Sequence, residues 1–332
     1  MPVSISGTNG VTFPDSSLQA AAASPYVLKN RIINGDMRID QRNAGASVTP
    51  AADQYVLDRW NFFVSQSSKL TAQQNAGSVT PPVGFTNYFG LTSTSAYTVS
   101  SGDYFGTRQF IEGYNIADLA WGTANAKTIT ISFWVYSSLT GTFGGALANS
   151  AENRSYPFSY TISSANTWEQ KSITIAGDTS GTWLTTNGKG IQLRFSMGCG
   201  STFSGTANTW ASANYAQPTG SVSVVGTNGA TLYITGVQLE VGSTATPFER
   251  RLYNQELAAC QRYYEVAKYS PSTYLAMSSI MPVGTNNRAY WTYAVTKRAD
   301  ATVALGTGVW SNATPTIYGG STNAEFFSGS TY

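Results

Sequence analysis

The sequence predicts an all-β protein: a jelly-roll-like β-sandwich with an extended N-terminal arm, one short helix after the sandwich and a small C-terminal β-region. Three observations predict it. Ser and Thr number 80 of 332 residues, alongside 20 Tyr, 15 Phe and 8 Trp, and Thr, Val, Ile and the aromatics are the residues that fit a pleated, half-buried surface. Several segments alternate apolar and polar residues with period two. Gly, Asn, Ser and Pro punctuate these segments as turns do.

Taken in order, residues 1–28 form a separate arm. Ala20–Ala23 is a small-residue run closed by Ser24-Pro25, and so short a piece buries no core alone. Residues 29–250 carry the strand signals. The clearest is Thr128–Ser137, in which Ile129, Ile131, Phe133 and Val135 share one face and Thr130, Ser132, Trp134 and Tyr136 the other. Tyr55–Val64, Arg108–Glu112, Ser172–Ala176, Ile191–Met197, Ser221–Val225 and Thr231–Leu239 read as further strands. Thr227-Asn228-Gly229 is the turn between the last two. Residues 251–332 hold the helix and the C-terminal β-region. Thr246 as N-cap, Pro247 at N1 and Glu249 at N3 predict a helix over about 247–265. Asn254 is a second candidate start, with Glu256–Tyr264 helical in either case. Beyond it Tyr290–Val295 and Ala301–Leu305 alternate, and EFFSGSTY carries neither a helix cap nor a charged tail. That ending fits a weak β-region or a chain stopping before a domain end.

Composition excludes several function classes. The chain has no histidine, so Ser-His-Asp catalysis, His-ligated zinc and a His base are all ruled out. Net charge is +2, which makes no case for nucleic acid. No apolar run reaches the roughly 20 residues of a membrane helix, and the first residues lack the basic and apolar regions of a signal peptide. Neither membrane insertion nor a cofactor is expected. Cys199 and Cys260 are too few for a disulfide framework. They read as two buried thiols, with a single disulfide as the alternative. The sparse charge is segregated: Leu70–Gly102 and Phe195–Leu239 have none, while Lys29–Arg59 and Glu240–Lys268 concentrate it.

Three stretches, VTFPDSSLQ at 11–19, IINGDMRIDQR at 32–42 with YVLDRW at 55–60, and YITGVQLEVGSTATPFERRLYNQELAACQRYY at 233–264, together resemble a family of bacteriophage tail-fibre and receptor-binding virion proteins, frequent among marine and cyanobacterial phages. The resemblance covers roughly residues 10–265. It implies a carbohydrate-binding-like jelly roll, assembly as a homotrimer, attachment to other virion proteins and adhesion to host-surface glycan, with the protein located in the virion. It further implies that Val11, Phe13, Pro14, Asp15 and Leu18 serve trimerisation or attachment. Carbohydrate-binding jelly rolls often hold a structural calcium ion, and the matching positions here are near Asp36 and Glu240. The alternative is that both pair with nearby arginines, and no metal is assigned.

Candidate glycan-contacting residues are Trp183, Phe203, Trp210 and Tyr215, in neutral loops rich in Asn, Ser and Thr. Flat rings stack on the C–H faces of sugars, while the surrounding amides and hydroxyls bond to sugar hydroxyls. The competing reading makes these rings loop anchors. Trp60 and Trp134 are expected in the core or on a sheet face. Asp36, Arg38, Asp58 and Glu240 read as structural ion-pairing groups on a surface or an interface, and Phe248, Cys260 and Tyr263 as structural members of the last signature. No catalytic residue and no enzyme is predicted. A glycan depolymerase, using carboxylates such as Asp103, Glu112 or Asp118, and a purely structural virion component (capsid fibre, decoration protein or baseplate connector) are the alternatives.

Overall fold

The structure is a computed structural model. It describes residues 29–266 and 293–303, and the backbone of four short strands outside them. Three of these, β1 (Ser4–Ser6), β2 (Gly10–Thr12) and β3 (Leu18–Gln19), pair antiparallel in that order. Val11 and Leu18 lie on β2 and β3, whereas Phe13, Pro14 and Asp15 lie outside the described residues.

The body is a sandwich of two antiparallel sheets. Its strands are β4 (Tyr55–Leu57), β5 (Trp60–Val64), β6 (Leu70–Gln74), β7 (Phe89–Ser93), β8 (Tyr104–Glu112), β9 (Ile129–Ser137), β10 (Gly141–Ala148), β11 (Ser155–Ile162), β12 (Glu169–Ile175), β13 (Lys189–Cys199) and, after the short parallel pair β14 (Ser204–Gly205) and β15 (Gln217–Pro218), β16 (Thr231–Val241). One sheet runs β11-β10-β13-β8-β5-β4 and the other β12-β9-β16-β7-β6. The period-two pattern of β9 holds: Ile129, Ile131, Phe133 and Val135 are all 0% exposed. Aromatic rings bridge the sheets, Phe133 to Phe195 at 5.0 Å and Phe62 to Phe89 at 5.8 Å, both edge-on, the geometry ring quadrupoles favour. Trp60 is fully buried, and Trp134 lies half-buried on a sheet face.

Four expectations need correction. Tyr55–Val64 is a tight hairpin and not one strand, because Asp58-Arg59 turns the chain with Arg59 at φ 72°. Ser221–Val225 forms no strand. Its second half enters a 3₁₀ turn, Val224–Gly226, whose valines face the core. The helix α1 spans Tyr253–Gln261 and starts six residues later than Pro247 predicts. Thr246 does cap a charge, but that of Glu240, to which it donates from N at 2.8 Å and from Oγ1 at 2.7 Å. Gln255 instead closes the helix start, accepting from the Leu252 N–H at 3.2 Å. Strands β6, β7, β10 and β11 carry no signal strong enough to be predicted. After the helix, β17 (Tyr264–Val266) pairs with β19 (Phe327–Gly329), which pairs with β18 (Thr302–Val303). The described part of Tyr290–Val295, residues 293–295, is not a strand. Both cysteines are free thiols, Cys260 fully buried and Cys199 partly so. No helix among the described residues is long and apolar enough to cross a membrane.

The fourth correction concerns the charged segments. They meet inside the molecule, not at its surface. Glu249 accepts from the backbone N–H groups of Lys29 and Asn30, at 3.0 and 2.8 Å. Arg251 donates to the Ile32 carbonyl at 2.9 Å and pairs with Glu256 at 3.2 Å. Glu256 in turn accepts from the Asn34 N–H. Asn34 bonds the Ile39 and Asp58 carbonyls, and its own carbonyl takes the Trp60 indole at 3.1 Å. Gln109 of β8 bonds both the N–H and the C=O of Ile33, each at 2.9 Å, as a strand would. Gly35 runs so close to β16 that an added Cβ would land on the Val237 carbonyl oxygen. Asp36, Asp58 and Glu240 are 3%, 1% and 2% exposed. Asp36 pairs with Arg38 at 2.5 Å. The result is a polar latch that ties residues 29–42 and 246–264 to the same end of the sandwich. At its far side Glu112 takes a two-pronged bond from Arg262, at 2.6 and 2.9 Å, and the Tyr263 hydroxyl at 2.5 Å.

Candidate functional site

On the outer face of the six-stranded sheet the alternation that sends Leu193 and Phe195 inward sends Gln192 and Arg194 outward, and Arg108 stands directly opposite Arg194 on β8. Next along, Phe63 of β5 lies across Gly106, where a Cβ would collide with its ring. Phe63 stacks on Tyr104 at 6.3 Å, and Tyr104 meets Phe203 edge-on at 4.9 Å. Phe63, Tyr104, Arg108, Arg194 and Phe203 line a cleft of about 250 Å³, together with Ala52, Asp53, Glu152 and Asn214.

Two surface segments build its walls. The turn 149–154 is held by Asn149, whose side chain bonds Asn153 at 2.7 Å and accepts from the Arg154 N–H at 3.2 Å. It presents Glu152. The loop 200–218 is pinned by Ser155 Oγ, which accepts from the Tyr215 N–H at 3.0 Å, and by Gln217 on Ser196 at 2.6 Å. It presents Phe203 and Asn214.

The polar groups interlock. Glu152 Oε1 accepts from Arg194 at 2.9 Å and Gln192 at 3.1 Å and lies 3.5 Å from Arg108, while its Oε2 accepts from Asn214 at 2.9 Å. Arg108 donates to Asn61 at 2.9 Å and pairs with Asp53. Arg194 donates to Asn214 Oδ1 at 2.6 Å. Burial pushes the Arg194 guanidinium down to about 10, against the pull of Glu152, so it stays charged at neutral pH. Burial alone would raise the Glu152 carboxyl, but Arg194, Gln192, Arg108 and Asn214 together hold it below its usual value. That is the wrong direction for a general acid, which needs a raised carboxyl pKa. Asp58 is pushed up to about 6 by burial, yet Gln41 occupies both its oxygens, each at 2.7 Å. Asp103 accepts from Ser65 and Tyr97, each at 2.8 Å, Glu112 belongs to the latch, and Asp118 pairs with Arg31 at 2.7 Å. Among the described residues no three Cys, Asp or Glu side chains converge as a metal site requires. Asp36 is occupied by Arg38, whereas Glu240 pairs with Thr246 and Gln238, not with an arginine.

The four predicted aromatics divide. Phe203 lines the cleft, and Tyr215 supplies a carbonyl to Arg194 at 3.4 Å on the same loop. Trp183 and Trp210 lie together elsewhere, 5.6 Å apart in a cluster with Trp121, and Tyr156 packs on Trp210. Trp183 is 6% exposed, and the partly exposed Trp210 donates its indole N–H to the Ala176 carbonyl at 2.8 Å. Sequence reasoning missed Phe63, Tyr104, Arg108, Glu152, Arg194 and Asn214. A signal for two of them was present: an arginine on the polar phase of each of two strands.

No family model and no curated protein matches the sequence. Solved structures similar to it in part include the enzymatically active domain of tailspike protein 4 from bacteriophage CBA120, at 12% identity and TM-score 0.35 over 64% of this chain. That match spans only 21% of the tailspike domain's own length. A family 11 carbohydrate-binding module from Clostridium thermocellum is 13% identical at TM-score 0.30, over 60% of this chain and 98% of the module. A putative sugar-binding protein from Bacteroides thetaiotaomicron is 11% identical at TM-score 0.35, over 64% of this chain and the whole of that one. Likenesses this distant carry no weight for function. The architecture itself, two antiparallel sheets in the strand orders given above, defines a jelly-roll-like β-sandwich.

Proposed function

We propose that this chain is a non-enzymatic adhesion protein of a phage virion, trimeric through its N-terminal arm, that holds host-surface glycan in the cleft on the six-stranded sheet. The observation that carries the reading is the cleft itself. Rings of Tyr104, Phe63 and Phe203 stand beside amides and guanidinium groups fixed by a rigid sheet, the mixture that fits a sugar's apolar faces and hydroxyls. Phe203 contacts the sugar, Tyr215 fixes the wall, and Trp183 and Trp210 form a second aromatic contact away from the cleft, with Trp210 the more exposed of the two. Val11, Phe13, Pro14, Asp15 and Leu18 carry the arm's attachment to its own copies and to other virion proteins. Three weak sites then gain avidity of about 10²–10⁴ over one.

A glycan array probed with the purified chain, with light scattering for its mass, tests this reading. Binding by a trimer, lost in Tyr104→Ala with Phe203→Ala, is the expected result. A monomer that binds no glycan sinks the adhesion reading and favours a purely structural virion component.

A further inference from the structure

The cleft's charges have an uneven origin. Its cations, Arg108 and Arg194, stand on central strands, with side chains 10% and 4% exposed. Lys189 lies 4.5 Å over the Phe110 ring that Arg108 also covers at 4.7 Å. Its carboxylates come from surface segments: Asp53, 77% exposed, and Glu152, 34% exposed. Two sheet-borne cations therefore meet two loop-borne anions in the cleft, with Lys189 outside its lining. Glu152 is shared among Arg194, Arg108, Gln192 and Asn214, and Arg194 Nε, buried beside the cleft, has no hydrogen-bond partner among the described residues. A guanidinium so deeply placed binds planar oxyanions far better than it binds water. Arg–carboxylate pairing here is already realised by a side chain that is 34% exposed and stands on a surface turn, not on the sheet.

Resting on the adhesion reading, we propose that the cleft selects acidic sugars, and that a uronate carboxylate takes the place of the Glu152 carboxylate on Arg194 and Arg108. Glu152 then acts as an internal stand-in for the ligand: it keeps the guanidinium groups paired while the cleft is empty and competes with the sugar for them. The ligand group is a carboxylate, not a sulfate ester, because donors from Arg194, Gln192 and Asn214 are already arranged around the planar two-oxygen group of Glu152. The cleft's 250 Å³ is below the ~300–1,000 Å³ of drug-sized pockets, which suits one sugar residue of a chain with its neighbours lying outside.

Isothermal titration of the full chain with tetramers of galacturonate, glucuronate and mannuronate, and with a neutral glucose tetramer at the same ionic strength, tests this. At least one uronate tetramer is expected to bind about tenfold or more tighter than the neutral one. Glu152→Gln, which removes the competitor but keeps its shape, is expected to raise the ratio of uronate to neutral affinity several-fold. Asp53→Asn, at an exposed side chain, is the second variant and shifts that ratio in the same direction. Thermal melts verify that both variants fold. The inference is overturned if the neutral tetramer binds as well as every uronate, or if both variants lower that ratio. Neutral-only binding removes this inference and leaves the adhesion reading standing. Failure of every sugar here and on the glycan array removes both.

Discussion

The latch and the cleft are built from the same residues, buried arginines and carboxylates with a few amides, yet they differ in what those groups hold. In the latch the partners are mostly backbone. Glu249, Glu256, Arg251 and Gln109 each bond a main-chain N–H or C=O of a segment distant in sequence, and Asn34 bonds the Asp58 carbonyl in the β4–β5 turn. Those partners cannot leave without unfolding the end of the sandwich. In the cleft the partners of Arg108 and Arg194 are side chains, apart from the Tyr215 carbonyl 3.4 Å from Arg194, and the two acidic ones stand on surface turns. They can be exchanged for a ligand's atoms at little cost to the fold. Burial of charge alone therefore does not mark a functional site. What marks it is whether the counter-charge is fixed by the chain or merely lent by it.

The largest effect is expected in the latch. Arg251→Ala leaves Glu256, 5% exposed, as an uncompensated buried carboxylate and removes the bonds to Ile32 and Asn30. Breaking such a pair costs about 3–5 kcal/mol. A melting temperature lower by on the order of 10 °C should follow for a domain of this size. Calorimetry that finds Arg251→Ala no worse than a cleft variant would erase the distinction between the two regions.

The next effect is a pH dependence. Asp58 in the latch has its carboxyl pushed from 3.8 to about 6, by burial first and against the pull of Arg42. The folded state therefore takes up the proton before the unfolded chain does. Stability rises by about 1.4 kcal/mol as pH falls from 7 to 5, at roughly 1.4 kcal/mol per pKa unit, and this contribution reaches about 3 kcal/mol only below the unfolded value of 3.8. Glu152 and Glu112 have lowered carboxyl pKa values. Their contribution is present above the unfolded value and is lost only at more acid pH, so it leaves this window untouched. Denaturant titrations at several pH values check the sign. A stability that falls over this window, or an Asp58→Asn variant with an unchanged slope, contradicts the assignment.

A smaller loss should follow Gly35→Ala, because the added Cβ meets the Val237 carbonyl oxygen and forces residues 32–36 off β16. Overpacking of this kind costs about 1–3 kcal/mol. Chemical denaturation reads the loss, and an unchanged midpoint would show that the latch segment is free to shift.

Much of the sandwich was legible in the sequence, and the reasons are local. Strand β9 declares itself because one face is wholly apolar and the other polar. Strand β10 does not, because Gly144 and Gly145 fill positions where Pro218, Phe158 and the Arg194 backbone press close. The Asp58-Arg59 turn hid in an otherwise unbroken strand pattern. The helix start was misplaced because Thr246 and Glu249 are caps in chemistry but serve Glu240, Lys29 and Asn30. The latch was visible only as two charged segments, since pairing across some 220 residues leaves no spacing to read. The cleft was half visible. Phe203 was found because an aromatic in a neutral loop is conspicuous, while Arg194 and Arg108 looked like ordinary strand residues until register set them opposite each other.

The smallest expected effect sharpens the comparison most. Asp53 pairs with Arg108, but its side chain is 77% exposed, against 10% for the arginine. If Arg108 were fixed as the latch arginines are, losing this partner would cost several kcal/mol. If Asp53 only lends its charge, Arg108 keeps Asn61 and the nearby Glu152, and solvent screens what remains. Asp53→Asn should then change stability by about 0–1 kcal/mol, the range of an exposed ion pair. Denaturant unfolding at low and high salt decides it, because a lent charge also loses its small contribution as salt rises. A cost above about 3 kcal/mol, insensitive to salt, would make the Arg108 side of the cleft a second latch.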